Sequence, residues 1–127
     1  MKFQRTLFYS IPFLLMIFLS TNATFADKAA VSIEAPAAVV KGSEITIRLT
    51  ITHSANSYFH YVEWVRVMMN EREIARWDYS RSQRPEDATF TKEIKYTVNE
   101  SGEIKAEASC NIHGSKGPAS QKVLVKE

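Results

Sequence analysis

The alternation of apolar and polar side chains that starts at Glu44 is the feature that most constrains the fold of this chain. The apolar members would share one face of an extended segment: Ile45, Ile47, Leu49 and Ile51. The intervening residues Thr46, Arg48 and Thr50 would share the other face. A period of two residues is typical of a β-strand with one buried face. The segment therefore predicts a strand that packs against an apolar core.

Other strand-like segments surround this one at short intervals, separated by turn residues. They are residues 27–36, 58–69, 74–79, 90–98, 104–110 and the C-terminal stretch that contains Val123 and Val125. No segment shows the 3.6-residue apolar period of an amphipathic helix. About seven short strands in about 100 residues predict an all-β fold, an immunoglobulin-like antiparallel β-sandwich.

The N-terminal segment has the pattern of a secretory signal peptide. Lys2 and Arg5 precede an apolar run over residues 7–19, and small or polar residues follow as far as Ala26. The alternative is an uncleaved membrane anchor, but a spanning helix needs about 20 apolar residues and Pro12 interrupts this shorter run. We therefore expect residues 1–26 to be removed. Residues 27–127 would then form one exported domain, periplasmic or extracellular, with no membrane attachment.

Charge and cysteine content exclude several functional classes. The chain has 16 basic and 14 acidic residues, and two of the basic ones, Lys2 and Arg5, belong to the predicted signal. The rest is neutral overall, which argues against nucleic-acid binding. A single cysteine excludes an internal disulfide and any zinc site built on two thiolates. The chain also has no glycine-rich phosphate loop, nucleophile elbow or His-Glu-x-x-His motif, so we expect no catalytic residues beyond a metal centre.

The single cysteine and the three histidines all fall at or just beyond predicted strand ends. His53 continues the inward series that starts at Ile45, and Cys110 ends the inward series of the strand over residues 104–110. His113 follows Cys110 in a Cys-x-x-His loop, and His60 opens the strand that follows the His53 loop. An exported protein rarely keeps one unpaired thiol, because free thiols oxidise there. These four side chains predict a mononuclear metal site: His53, His60, Cys110 and His113.

The donor set leaves the identity of the metal open. Three imidazoles and one thiolate could complete a zinc tetrahedron. Two imidazoles and a thiolate also suit a copper site of the electron-transfer type, although no methionine follows His113 to serve as a weak axial ligand. Iron is the third choice. A metal-carrying or electron-transfer module with copper or zinc, and a metal-free exported binding domain, are the competing interpretations.

Two short motifs resemble those of a known family. Residues 60–65 read His-Tyr-Val-Glu-Trp-Val, and residues 110–114 read Cys-Asn-Ile-His-Gly. Together they resemble the iron-binding domain of desulfoferrodoxin and the superoxide reductases, which is an immunoglobulin-like sandwich. The resemblance extends over residues 44–114.

The resemblance implies a mononuclear non-haem iron centre that reduces superoxide to hydrogen peroxide with an electron from a donor. Cys110 would be the axial ligand, and His60 and His113 equatorial ligands. His53 would correspond to the first histidine of the family's early motif. An open coordination position would receive superoxide.

The chain departs from the family pattern in three places. His53 and His60 are seven residues apart where the family has six, and Ser54 replaces the usual proline. The family's Glu-Lys-His segment, with a fourth histidine and a lysine, has no counterpart; residues 31–36 occupy that region, and Glu34 there could supply an oxygen ligand. The aromatic residue that follows His-Gly in the family is also missing. Lys41 or Lys116 could attract superoxide, although a solvated surface role is simpler for both.

Overall fold

A computed structural model describes residues 28–127 of the chain. The strands in chain order are β1 (Ala30–Glu34), β2 (Ala38–Val40), β3 (Ser43–Thr52), β4 (Val62–Met69), β5 (Arg72–Asp78), β6 (Thr89–Val98), β7 (Gly102–Cys110) and β8 (Ala119–Lys126). One sheet has the order β1-β3-β6 and the other the order β2-β8-β7-β4-β5. The predicted all-β sandwich is confirmed. The predicted signal over residues 1–26 lies outside the described residues, and among those described no helix could span a bilayer.

The core forms from the inward faces of the two sheets. In β3 every second side chain is buried, as the alternation predicts, and β6 pairs antiparallel with it from Ser43 opposite Val98 to Thr52 opposite Thr89. The largest side chains that are fully buried come from β3, β4, β6, β7 and β8: Ile47, Leu49, Ile51, Ile104, Val62, Val65, Val67, Val98 and Val123. Removing this apolar surface from water stabilises the sandwich without a disulfide.

Two differences from the sequence-based expectation have local causes. The extra strand is β2, three residues that pair in parallel with β8; a segment this short carries too few residues to show a period. The strand predicted from residue 58 begins only at Val62. Ser57 and His60 exchange backbone hydrogen bonds of 2.7 and 3.3 Å, which close a turn before the strand. Tyr58 and Phe59 therefore lie exposed at the surface.

Both loops that carry the predicted ligands lie at the same end of the sandwich. β3 runs towards this end and finishes at Thr52, just before His53, and β7 runs the same way and finishes at Cys110. β4 starts there, with Val62 opposite Cys110. The hairpin between β4 and β5 lies at the other end, roughly 25 Å along the strands. The topology alone thus brings residues 53–61 and 110–114 together.

Candidate metal centre

The late loop is a tight turn closed by its own backbone. The N–H of Cys110 donates to the carbonyl of Gly114 at 2.9 Å, and the N–H of Gly114 donates back to the carbonyl of Cys110 at 3.0 Å. Gly114 has φ 76°, a left-handed conformation that costs glycine little. The turn directs the Cys110 side chain inwards, where it is only 2% exposed.

The Cys110 sulfur receives backbone hydrogen bonds from its own loop. The N–H groups of Ile112 and His113 point at Sγ, with N···S distances of 3.4 and 3.5 Å. Donors aimed at the sulfur of a ligand adjust the electron density that this ligand gives to a metal. The loop therefore holds two N–H groups where they would act on a metal–sulfur bond.

The early loop holds His53 and His60 in different environments. His53 directly follows β3, its N–H donates to the carbonyl of Ala88 at 2.8 Å, and it is 3% exposed. His60 follows the Ser57 turn and is half-buried. Their rings pack edge to face, with centroids 4.5 Å apart at 71°. One imidazole thus closes the end of the core while the other lies nearer the surface.

The structure brings the predicted ligand residues together. One potential ligand atom from each of His53, His60 and Cys110 lies within 4.8 Å of the other two. His113 is outside that group but adjoins it, with Nδ1 3.1 Å from His60 Nε2 and 3.9 Å from Cys110 Sγ. These are imidazole and thiolate donors, which bind zinc, copper and iron rather than calcium or magnesium. The arrangement fits one transition-metal ion.

Two asparagines, which the sequence analysis did not assign to the site, fasten its loops. Asn111 Oδ1 accepts from the N–H of Tyr61 at 2.9 Å, and Asn111 Nδ2 donates to the carbonyl of Phe59 at 3.1 Å. Asn111 therefore ties the late loop to the residues on both sides of His60. Asn56 ties the early loop to the start of β4 at Val62 and to the carbonyl of Asp87. For Asn111 the motif Cys-Asn-x-His-Gly was a signal that could have been used; for Asn56 the sequence offers none.

Two further candidates from the sequence lie away from the site. Glu34 pairs with Arg48, four strand positions from Ala30, which is the β1 residue opposite Thr52 beside His53. That separation is roughly 13 Å, too far for a shared ligand set. Lys41 lies at the opposite end of the sandwich, where its N–H donates to the carbonyl of Lys126. Glu34 as a substitute ligand and Lys41 as an attracting charge are therefore not supported.

Lys116 lies on the site's side of the molecule. Its N–H donates to the carbonyl of Ala29 at 2.9 Å, and the N–H of Ala29 donates to the carbonyl of Gly114 at 3.3 Å. The exposed residues Lys28 and Lys116 thus both flank the loop that carries His113. Their placement puts two basic residues beside this loop.

Comparison with known proteins identifies the family. The family described as Desulfoferrodoxin matches residues 21–115. This chain belongs to that family. A curated Thermotoga maritima protein named "Putative superoxide reductase" is 30% identical in an alignment 127 positions long, which covers 87% of this chain and 96% of that protein. The predicted desulfoferrodoxin and superoxide reductase relationship is confirmed.

Solved structures agree with this desulfoferrodoxin assignment at the level of the fold. The superoxide reductase (neelaredoxin) of Ignicoccus hospitalis superposes with a TM-score of 0.65 at 20% identity, over 78% of this chain and 82% of that one. A crystal structure from Thermotoga maritima, titled with the same name as the curated protein, gives 0.62 at 25% identity, over 77% and 86%. The sandwich is therefore shared over more than three quarters of this chain.

Proposed function

We propose that this desulfoferrodoxin-family chain is an exported superoxide reductase with one mononuclear non-haem iron, held by His53, His60, Cys110 and His113. The observation that carries the proposal is the convergence of a buried thiol and imidazoles at one end of the sandwich, with three ligand atoms within 4.8 Å. Family membership supports iron over copper and zinc. In the reaction, superoxide takes up one electron and two protons and becomes hydrogen peroxide.

The residues around the centre have complementary tasks in this proposal. Ferrous iron held by these four residues would supply the electron that reduces superoxide. The Cys110 thiolate would donate electron density from the buried side, while the N–H groups of Ile112 and His113 limit its charge. His53 would keep the inner side of the centre dry, since it is 3% exposed. His113 is exposed, so a small anion has access from that side.

Local charge supports attraction of superoxide. The chain lacks the family's lysine next to the missing histidine, and the domain beyond the predicted signal has no net charge. Lys28 and Lys116 flank the His113 loop, and a positive rim raises the local concentration of a small anion. We assign the steering role to these two side chains jointly; Lys116 was one of the two lysines named from the sequence, and Lys28 was not.

Exposed apolar side chains support reduction of the centre by a protein donor. Phe59 directly precedes His60 and is 71% exposed, and Ile112 directly precedes His113 and is 58% exposed. Tyr58 extends the same surface through an edge-to-face contact with Phe59, at 5.0 Å between centroids. Apolar surface of this kind beside a site is typical of places where another molecule docks. An electron donor seated here would reach the imidazole edges.

The metal and the reaction can be tested with one preparation. Protein isolated from the exported fraction should contain iron at about one per chain, and its N-terminal residue should be Asp27. Anaerobic ferrous loading followed by oxidation should produce a ferric thiolate charge-transfer band that Cys110→Ala lacks. Superoxide generated enzymatically should disappear with hydrogen peroxide formed one for one. Stoichiometric copper or zinc in place of iron, or no metal, would overturn the proposal.

A further inference from the structure

Asn56 occupies the centre of the early loop and contacts three separate segments. Its Nδ2 donates to the carbonyl of Asp87 at 2.8 Å, and its Oδ1 accepts from the N–H of Val62 at 2.9 Å. His53 Nδ1 lies 3.3 Å from the same Oδ1. The side chain thus joins the end of β3, the start of β4 and the segment before β6. Asn56 lies between His53 and His60, which are one residue further apart here than in the family pattern.

The backbone partners of Asn56 fix which end of its amide faces His53. An N–H can only donate and a carbonyl can only accept, so the atom beside Val62 must be oxygen and the atom beside Asp87 must be nitrogen. The atom that faces His53 is therefore an acceptor. A neutral imidazole beside an acceptor presents its N–H there, which places the ring proton on Nδ1. The lone pair of His53 is then on Nε2.

We propose that Asn56 is a positioning residue that sets the tautomer and ring orientation of His53, so that Nε2 is the atom offered to the metal. The inference rests on the proposed function only in taking His53 as a ligand. An amide that orients an imidazole in this way raises the metal affinity of the site, because no free energy is then spent on selecting the tautomer and rotating the ring. Asn56 does not touch the metal or the substrate in this assignment.

The tautomer itself can be measured in metal-free protein by proton–nitrogen correlation across the His53 ring. At a pH where the imidazole is neutral, the wild-type full-length chain should show the proton on Nδ1. Asn56→Ala should shift the population towards the Nε2–H form, whereas Asn56→Asp keeps an acceptor oxygen and should retain the Nδ1–H form. An Nε2–H tautomer in wild-type protein overturns the inference, and so does an unchanged tautomer in Asn56→Ala.

Metal titration gives the second measurement, with Co²⁺ as a spectroscopic probe besides ferrous iron. Loss of an orienting partner typically lowers metal affinity by roughly 10–100-fold, which is the loss expected for Asn56→Ala. Asn56→Asp should stay within a few-fold of wild type. Asn70→Ala is the matched control, because Asn70 Oδ1 also accepts a backbone N–H, from Glu103 at 3.0 Å, but at the far end of the sandwich. It should lower stability and leave affinity unchanged.

These outcomes separate the inference from the proposed function. If Co²⁺ binds with the expected dependence on Asn56 but the iron protein does not consume superoxide, the positioning role stands and the activity proposal fails. If superoxide is reduced and Asn56→Ala binds metal as tightly as wild type, the positioning role fails and the activity proposal stands. Should Asn56→Ala not fold, the wild-type tautomer and Asn56→Asp still decide the question.

Discussion

The two ends of the sandwich use asparagine in the same way and to different effect. At the end with the β4–β5 hairpin, Asn70 Oδ1 accepts from the N–H of Glu103 at 3.0 Å, and its partners are surface groups. At the end with the candidate metal centre, called the metal end below, Asn111 Oδ1 accepts from the N–H of Tyr61 at 2.9 Å, and the same oxygen lies 3.8 Å from Cys110 Sγ. The Asn70 bond only joins two strands, whereas the Asn111 bond also positions the loop that carries a candidate ligand. Changes at the two ends should therefore separate stability from metal binding.

The largest effect should come from Cys110→Ser at the metal end. The hydroxyl keeps an acceptor for the N–H groups of Ile112 and His113 but is a far poorer metal ligand than a thiolate. Iron affinity should fall by more than the roughly 10–100-fold that follows from losing an outer partner, and the ferric thiolate band should vanish. Anaerobic titration and absorption spectra measure both. Retention of wild-type affinity would mean that Cys110 is only a buried core residue.

Asn111→Ala should lower both the stability of the fold and the metal affinity. It is therefore the change for which the two properties should not separate. The N–H of Tyr61 and the carbonyl of Phe59 lose their side-chain partner. The bond to Tyr61 is part-buried and the bond to Phe59 is exposed, so the cost should stay near the lower end of the roughly 1–3 kcal/mol of a buried group left unsatisfied, and the urea midpoint should fall. Because the two loops are then less firmly joined, metal affinity should fall by roughly 10–100-fold as well.

Asn111→Asp serves as the control for this change. It keeps the acceptor for Tyr61 but loses the donor to Phe59, so about half of the stability loss should return. If the lower metal affinity of Asn111→Ala is caused by misplaced loops, the affinity should recover together with the stability. A variant that recovers stability without recovering affinity would show that Asn111 acts on the metal by another route, such as its contact with Cys110.

Gly102→Ala should lower stability alone. A Cβ at this position would overlap the side-chain amide of Asn70, which the hydrogen bond to Glu103 holds in place. Asn70 is exposed and its amide can move aside by giving up this hydrogen bond, which should cost about 0.5–1.5 kcal/mol and lower the urea midpoint at unchanged m-value. Metal affinity should match wild type, since the change is at the far end. In an Asn70→Ala background the added cost should shrink, because the overlapping atoms are gone.

Fold prediction succeeded where side chains alternate over a long strand. The period of two in β3 predicted the inward face of Ile45, Ile47, Leu49 and Ile51, all of which are buried. Its extension predicted that His53 would lie at the end of the core, where the structure has it 3% exposed. β2 escaped prediction because three residues show no period, and its parallel pairing with β8 depends on the sheet as a whole. The start of β4 was misplaced because aromatic residues 58 and 59 favour a strand, while the Ser57–His60 turn overrides that preference.

The candidate ligands could be named from the sequence, but the contacts through which Asn56 and Asn111 arrange them could not. His53 and Cys110 lie at the ends of inward series, so register alone places them at one end of the core. Asn56 binds Asp87, 31 residues away, and Asn111 binds Tyr61, 50 residues away. Contacts over such distances depend on how the loops meet after folding. Glu34 is excluded as a ligand for a similar reason, because its distance from the site is known only once β1 is paired with β3 and Glu34 lies opposite Arg48.

The smallest effect should come from the ion pair beside the hairpin and should depend on pH. Lys105 Nζ lies 3.2 Å from Glu71 Oε1, and the hydrogen bond and charge of Glu71, with the charge of Glu103, raise the pKa of Lys105 above its ordinary value. A lysine whose pKa is higher in the folded state stabilises that state below its unfolded-state pKa of about 10.4. The contribution is lost as the pH rises through the folded-state pKa.

Glu71→Gln should therefore unfold at a slightly lower temperature than wild type near neutral pH, and the difference should disappear at strongly alkaline pH. The pair is exposed, so added salt should also reduce the difference. Lys105→Met combined with Glu71→Gln tests the assignment, because the second change should then cost nothing further. Metal affinity should stay constant across the series. A pH-dependent change in affinity would show that the two ends of the sandwich are coupled.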